Sequence, residues 1–134
     1  MSGKDNMLAE LRILLVEDQI DVRTILHSML DELGVTHIFS AHNGEEAFDF
    51  METGSNRIDM VICDWNMPHM NGVELLRRLR DAHHNMPFLM ITGRSDLESV
   101  VQAKSCGVTG YIRKPFSAAQ LEAKMRIILQ RMAA

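Results

Sequence analysis

Tyrosine and tryptophan each occur once in this 134-residue chain, proline three times and cysteine twice. The two cysteines, Cys63 and Cys106, have no metal-ligand spacing, and both read as reduced packing residues. Long apolar runs are missing too. The longest, Ile13 to Val16, Met60 to Cys63 and Phe88 to Ile91, are four residues each, against the ~20 that a membrane-spanning helix requires. The opening Met1 to Leu11 is polar and mixed in charge, without the apolar core of a secretory signal. The expectation is a cytoplasmic protein with no membrane partner. A net charge of −4 argues against a basic face able to neutralise nucleic-acid phosphates. Proteins and small ions are the expected partners.

What is present is a regular alternation. Short apolar runs alternate with longer stretches of helical periodicity, the pattern of βα units that build a parallel sheet. The strands read as Arg12 to Glu17, His37 to Ala41, Met60 to Cys63, Phe88 to Thr92 and Gly110 to Arg113. Three are continuously apolar, as expected when helices cover both faces, and the two outer ones are more polar. The first long helix runs from Ile20 to Leu33, with Val22, Ile25, Leu26, Met29, Leu30 and Leu33 on one stripe and Gly34 to end it. Further helices read as Gly44 to Glu52, a stretch after Asn71-Gly72 with Val73, Leu75, Leu76 and Leu79, and Asp96 to Ser105 with Leu97, Val100 and Val101 inward. The last follows a Ser117 and Gln120 capping-box pattern through Leu121, Met125, Ile128 and Leu129. The expected fold is a single doubly wound α/β domain of five βα units. At this length a domain buries roughly two-thirds of its unfolded surface and needs no staple.

In such a sheet, ligands bind beyond the carboxyl ends of the strands. Glu17 and Asp18 stand there after the first strand, Asp64 at the third, Thr92 at the fourth and Lys114 after the fifth. Alone, the first two would also serve as acids at a helix start, Asp64 as a turn residue, Lys114 as a solvated charge and Thr92 as β-branched filling. Together they place three carboxylates, a hydroxyl and an ammonium along one edge. Crowded carboxylates repel unless a cation neutralises them, and an oxygen-only set without histidine or cysteine favours Mg²⁺ completed by phosphate oxygens. A carboxylate in that setting can be the nucleophile of phosphoryl transfer, and the lysine can meet a phosphoryl oxygen.

The segments Val16-Glu17-Asp18, Asp64-Trp65-Asn66-Met67-Pro68 with Asn71-Gly72, Thr92-Gly93 and Gly110-Tyr111-Ile112-Arg113-Lys114-Pro115-Phe116 occur in the order and spacing of a known family. The chain resembles the response-regulator receiver domains of two-component signalling, and among them the stand-alone chemotaxis regulators. The resemblance spans residues 11–132, leaving residues 1–10 as an extension of unassigned role and no output domain. It implies a flavodoxin-like sheet of order 2-1-3-4-5. It also implies Asp64 as phosphoacceptor, and Glu17, Asp18 and Asp64 as Mg²⁺ ligands with the Asn66 carbonyl. Thr92 and Lys114 would contact the phosphoryl group, Thr92 and Tyr111 would form the switch, and Lys114-Pro115 would be a cis peptide. Departures from the common pattern are Glu17 in place of aspartate, Arg94 beside the site and His69 in the loop after Asp64.

The function so implied is acceptance of a phosphoryl group from a histidine kinase. Binding to a protein target would change through the face made by the helix Asp96 to Ser105, the strand Gly110 to Arg113 and the last helix, where Leu97, Val100, Lys104 and Lys124 lie. A chemotaxis role at the flagellar motor switch is the first expectation, and a phosphate sink or phosphorelay shuttle the alternative. The protein is expected to be a monomer and not an enzyme beyond its own phosphorylation and dephosphorylation. A Mg²⁺-dependent aspartyl-phosphate phosphatase is the remote alternative, but Asn66, two residues after Asp64, cannot act as its general acid. A receiver that takes no phosphate and acts as a constant adaptor is opposed by five competent site residues. The six histidines show no ligand spacing, and most of the eleven methionines lie on core-facing stripes.

Overall fold

The computed structural model describes residues 4–54, 57–93, 101–102 and 104–133. Five parallel strands, β1 (Arg12–Val16), β2 (His37–Ala41), β3 (Met60–Asp64), β4 (Phe88–Thr92) and β5 (Gly110–Arg113), form one sheet in the order β2-β1-β3-β4-β5. Every residue of β3 and β4 is buried, while β2 and β5 at the edges are partly exposed. That division follows from helices covering both faces of the central strands.

One face carries α3 (Gly44–Thr53) and α4 (Gly72–Asp81) over a core of Leu14, Val61, Cys63, Leu75, Leu76, Leu79 and Phe88. The other carries α2 (Ile20–Glu32) and α5 (Ala118–Ala133) over Ile13, Leu15, Ile62, Leu89, Leu121 and Met125. Adjacent residues of each strand therefore feed opposite cores, as the pleat dictates. Helix starts are fixed by side chains: Asn43 accepts from the Glu46 N–H, Asn71 and Glu74 form a reciprocal capping box, and Ser117 and Gln120 do the same ahead of α5. These caps place α3 and α4 at the carboxyl edge of the sheet, next to the expected site.

Two expectations need correction, at Ile25 and Val101. Within the extension of unassigned role, α1 (Lys4–Ala9) sends Leu8 into the α2/α5 core at 1% exposure, Leu11 follows it, and the Thr36 hydroxyl donates to the Ala9 carbonyl at 2.8 Å. A single buried leucine in a polar stretch leaves no periodic signal. Ile25, assigned to the α2 core stripe, is 57% exposed, because Leu26 takes the buried position and neighbours on a helix diverge by about 100°. Val101 is likewise exposed. Arg94, Leu97 and Val100 lie outside the described residues, as does most of the Asp96 to Ser105 helix, of which 101–102 and 104–105 are helical.

Candidate functional site

The strand register assembles the site. Val16 pairs with Cys63, Asp64 with Ile91, and Thr92 with Arg113. The residues that end or follow these strands, Glu17, Asp64, Thr92 and Lys114, are thus brought level at one rim. Backbone bonds carry the ladder past the strand ends: Glu17 N–H to Ala41, Trp65 N–H to Ile91 and Lys114 N–H to Thr92 carbonyls, at 3.1, 2.8 and 2.8 Å.

Carboxylate oxygens of Glu17, Asp18 and Asp64 lie within 4.8 Å of one another. Lys114 Nζ donates to Asp64 Oδ2 at 3.2 Å, and the Asn66 N–H donates to Asp64 Oδ1 at 3.3 Å. Glu17, Asp64 and Thr92 are the buried polar residues of the described chain. Glu17 Oε2 accepts the Gln19 N–H at 3.0 Å, whereas Oε1 is buried with no hydrogen-bond partner among the described residues. Burial pushes the Glu17 carboxyl up to about 8, and the Asp64 and Asp18 carboxyls beside it push the same way against the Gln19 N–H. The Cys63 thiol is also pushed up, by burial first and then by the Asp64 and Glu17 charges, which keeps it a packing group and no nucleophile.

The donor set fits a hard divalent cation. It is all oxygen, it concentrates negative charge, and one buried oxygen lacks a partner, a cost of about 1–3 kcal/mol that a cation would remove. Glu17, Asp18 and Asp64 would hold it.

The loop after β3 is built by close approach. A Cβ on Gly72 would meet Met90 Sδ at 2.6 Å and the Asp64 carbonyl at 2.7 Å, and the Gly72 N–H donates to the Trp65 carbonyl at 2.9 Å. Only glycine fits there. The Lys114-Pro115 peptide is cis, as the resemblance implied. His69 adopts φ 68° in this loop and lines a cavity of about 260 Å³ with Asn43, Gly44 and Pro68. Arg23 was not singled out from the sequence: its guanidinium donates to the Glu17 carbonyl at 2.8 Å. Its place one turn into α2 was the available signal.

The profile of the response regulator receiver domain family matches residues 13–126. The chain belongs to that family. This receiver domain is 37% identical over 124 residues to chemotaxis protein CheY-3 of Vibrio cholerae, covering 91% of this chain and 94% of that protein. It is 35% identical to chemotaxis protein CheY of Pseudomonas aeruginosa, with 91% and 98% covered. Among solved structures, Vibrio cholerae CheY4 superposes with a TM-score of 0.81 at 29% identity over 88% of this chain and 98% of that one. The receiver domain of Francisella response regulator 1452 gives 0.82 at 25% identity, covering 92% and 99%. The doubly wound fold read from the sequence and the strand order implied by the resemblance are those observed. Among the described residues no helix is long and apolar enough to cross a membrane.

Proposed function

We propose that this receiver domain accepts a phosphoryl group on Asp64 from a histidine kinase, with Mg²⁺ held by Glu17, Asp18, Asp64 and the Asn66 carbonyl, and thereby changes its affinity for a protein target in a chemotaxis-type pathway. The contact between Lys114 Nζ and Asp64 Oδ2 carries the reading. A cation pressed against a nearly buried carboxylate, at a rim holding two further acids, suits a group that gains and loses an anionic substituent.

In the transfer, an Asp64 carboxylate oxygen forms a bond to phosphorus as the bond from phosphorus to the donor histidine nitrogen breaks, and that electron pair stays on the imidazole. Bound Mg²⁺ would supply charge neutralisation for the phosphoryl oxygens. Lys114 stays beside Asp64 and shifts its donation toward a phosphoryl oxygen, and the Thr92 hydroxyl, on the adjacent strand end, takes another. Phosphorylation adds a charge of about −1.5 to −2 at this point. The inward pull on Thr92 frees space that the Tyr111 ring, in the neighbouring strand, can enter. Tyr111 pairs with Met90 in register and is half-buried against the α3/α4 core, neither fully packed nor fully exposed. Apart from this self-modification the domain turns over no substrate, and its output is delivered by binding.

Incubation with acetyl phosphate and Mg²⁺ followed by intact mass tests the reading. One phosphoryl group per chain that decays, and no label on Asp64→Asn, is the expected result. Many turnovers, or label surviving Asp64→Asn, would overturn it.

A further inference from the structure

Lys124, on α5, places Nζ 5.5 Å from the centroid of the Tyr111 ring. The two side chains share a cavity of about 220 Å³ at the exposed edge of β5 with Lys104, Arg131 and Thr109. Three cations line this cavity. None of them has an ion-pair partner among the described residues, since the carboxylates that do form pairs serve His42, Arg57, His84, Lys114 and Arg126. For Lys124, without a carboxylate partner there, the negative face of the Tyr111 ring is a favourable contact.

We propose that Lys124 is a positioning residue for Tyr111: its ammonium holds the ring in the half-exposed position and so sets how far the unphosphorylated domain leans toward its inactive arrangement. This rests on the reading of Tyr111 as the aromatic coupled to the phosphorylation site. The latch acts on the equilibrium and not on the chemistry, because among the described residues Lys124 makes no ion pair with the acid rim. An exposed contact of this type weights the outward state by about two- to fivefold. By linkage, its removal favours every ligand that selects the inward state by the same factor.

The chain has a single tyrosine, so incorporation of 3-fluorotyrosine gives one ¹⁹F resonance that reports this ring alone. Titration with beryllofluoride and Mg²⁺ is compared for wild type, Lys124→Met, Lys124→Arg and Lys104→Met. The methionine keeps the apolar stem and removes the charge. The expected result is a Lys124→Met resonance displaced toward the beryllofluoride-bound position, with half-saturation at about two- to fivefold lower beryllofluoride. Lys124→Arg and Lys104→Met stay near wild type. A wild-type resonance that ignores beryllofluoride would overturn the switch reading and the latch together. A wild-type response with unchanged half-saturation in Lys124→Met would overturn the latch alone, as would an equal effect from Lys104→Met.

Discussion

Lys114 Nζ and Asp64 Oδ2 stand 3.2 Å apart, the lysine side chain 39% exposed and the aspartate 6%. The pair joins a partly exposed cation to a nearly buried carboxylate. Lys114→Met should therefore leave the fold intact and slow labelling of Asp64 by acetyl phosphate about a hundredfold, the scale for removing one preorganised charge-stabilising donor. Time courses of intact mass measure it, and a rate equal to wild type would remove Lys114 from the transfer.

Glu17 makes the metal-free protein sensitive to pH. Its carboxyl is held protonated in the fold up to about 8 but ionises near its ordinary value once unfolded, so between these limits the folded state binds more protons. Stability should then fall as pH rises across that window. In EDTA, wild type should melt lower at about pH 8.5 than at about pH 5.5, and Glu17→Gln should flatten that difference. Added Mg²⁺ should restore the wild-type melting temperature at the higher pH.

Trp65 is the sole tryptophan, is 5% exposed and directly follows Asp64. Its fluorescence should change as Mg²⁺ is titrated in. Asp18→Ala should shift the midpoint to at least tenfold higher Mg²⁺, a loss of about 1.4 kcal/mol or more. Superimposable curves would exclude Asp18 from the site.

Gly72 and Gly93 make a matched pair. A Cβ at Gly72 collides with backbone and with Met90, whereas at Gly93 nothing lies within 4 Å. Gly72→Ala should destabilise by about 1–3 kcal/mol in urea unfolding through overpacking. Gly93→Ala should be close to neutral.

The α1 helix gives a test of its own. Leu8→Ala should cost about 2–5 kcal/mol if its pocket fails to collapse, while the exposed Met7 should tolerate alanine.

The sequence disclosed most of this molecule because its signals were local. The strands His37–Ala41, Phe88–Thr92 and Gly110–Arg113 fall where their apolar content and flanking turns put them, and β3 runs one residue further, through Asp64. Glu17, Asp18, Asp64 and Lys114 could be grouped because a parallel sheet delivers all its carboxyl ends to one edge. What stayed hidden depends on three-dimensional neighbours. Nothing in the order of residues says that Leu8 reaches the α2/α5 core or that Ile25 turns outward. The ties of Arg80 to the Gly107 carbonyl at 2.9 Å and of Arg77 to Cys106 Sγ at 3.4 Å are of the same kind. They join residues far apart in the chain, with no periodicity to announce them.

The register that levels Val16 with Cys63 and Thr92 with Arg113 has an arithmetic consequence. Side chains alternate along a strand, so the rim obeys parity. One residue inserted within β3 would send the Asp64 carboxylate to the opposite side of the sheet; two would return it to the right side but carry it roughly 6–7 Å beyond its neighbours. Neither length change leaves Asp64 in reach of Lys114. Substitutions can tune this rim one position at a time, but the lengths of its strands are inherited together.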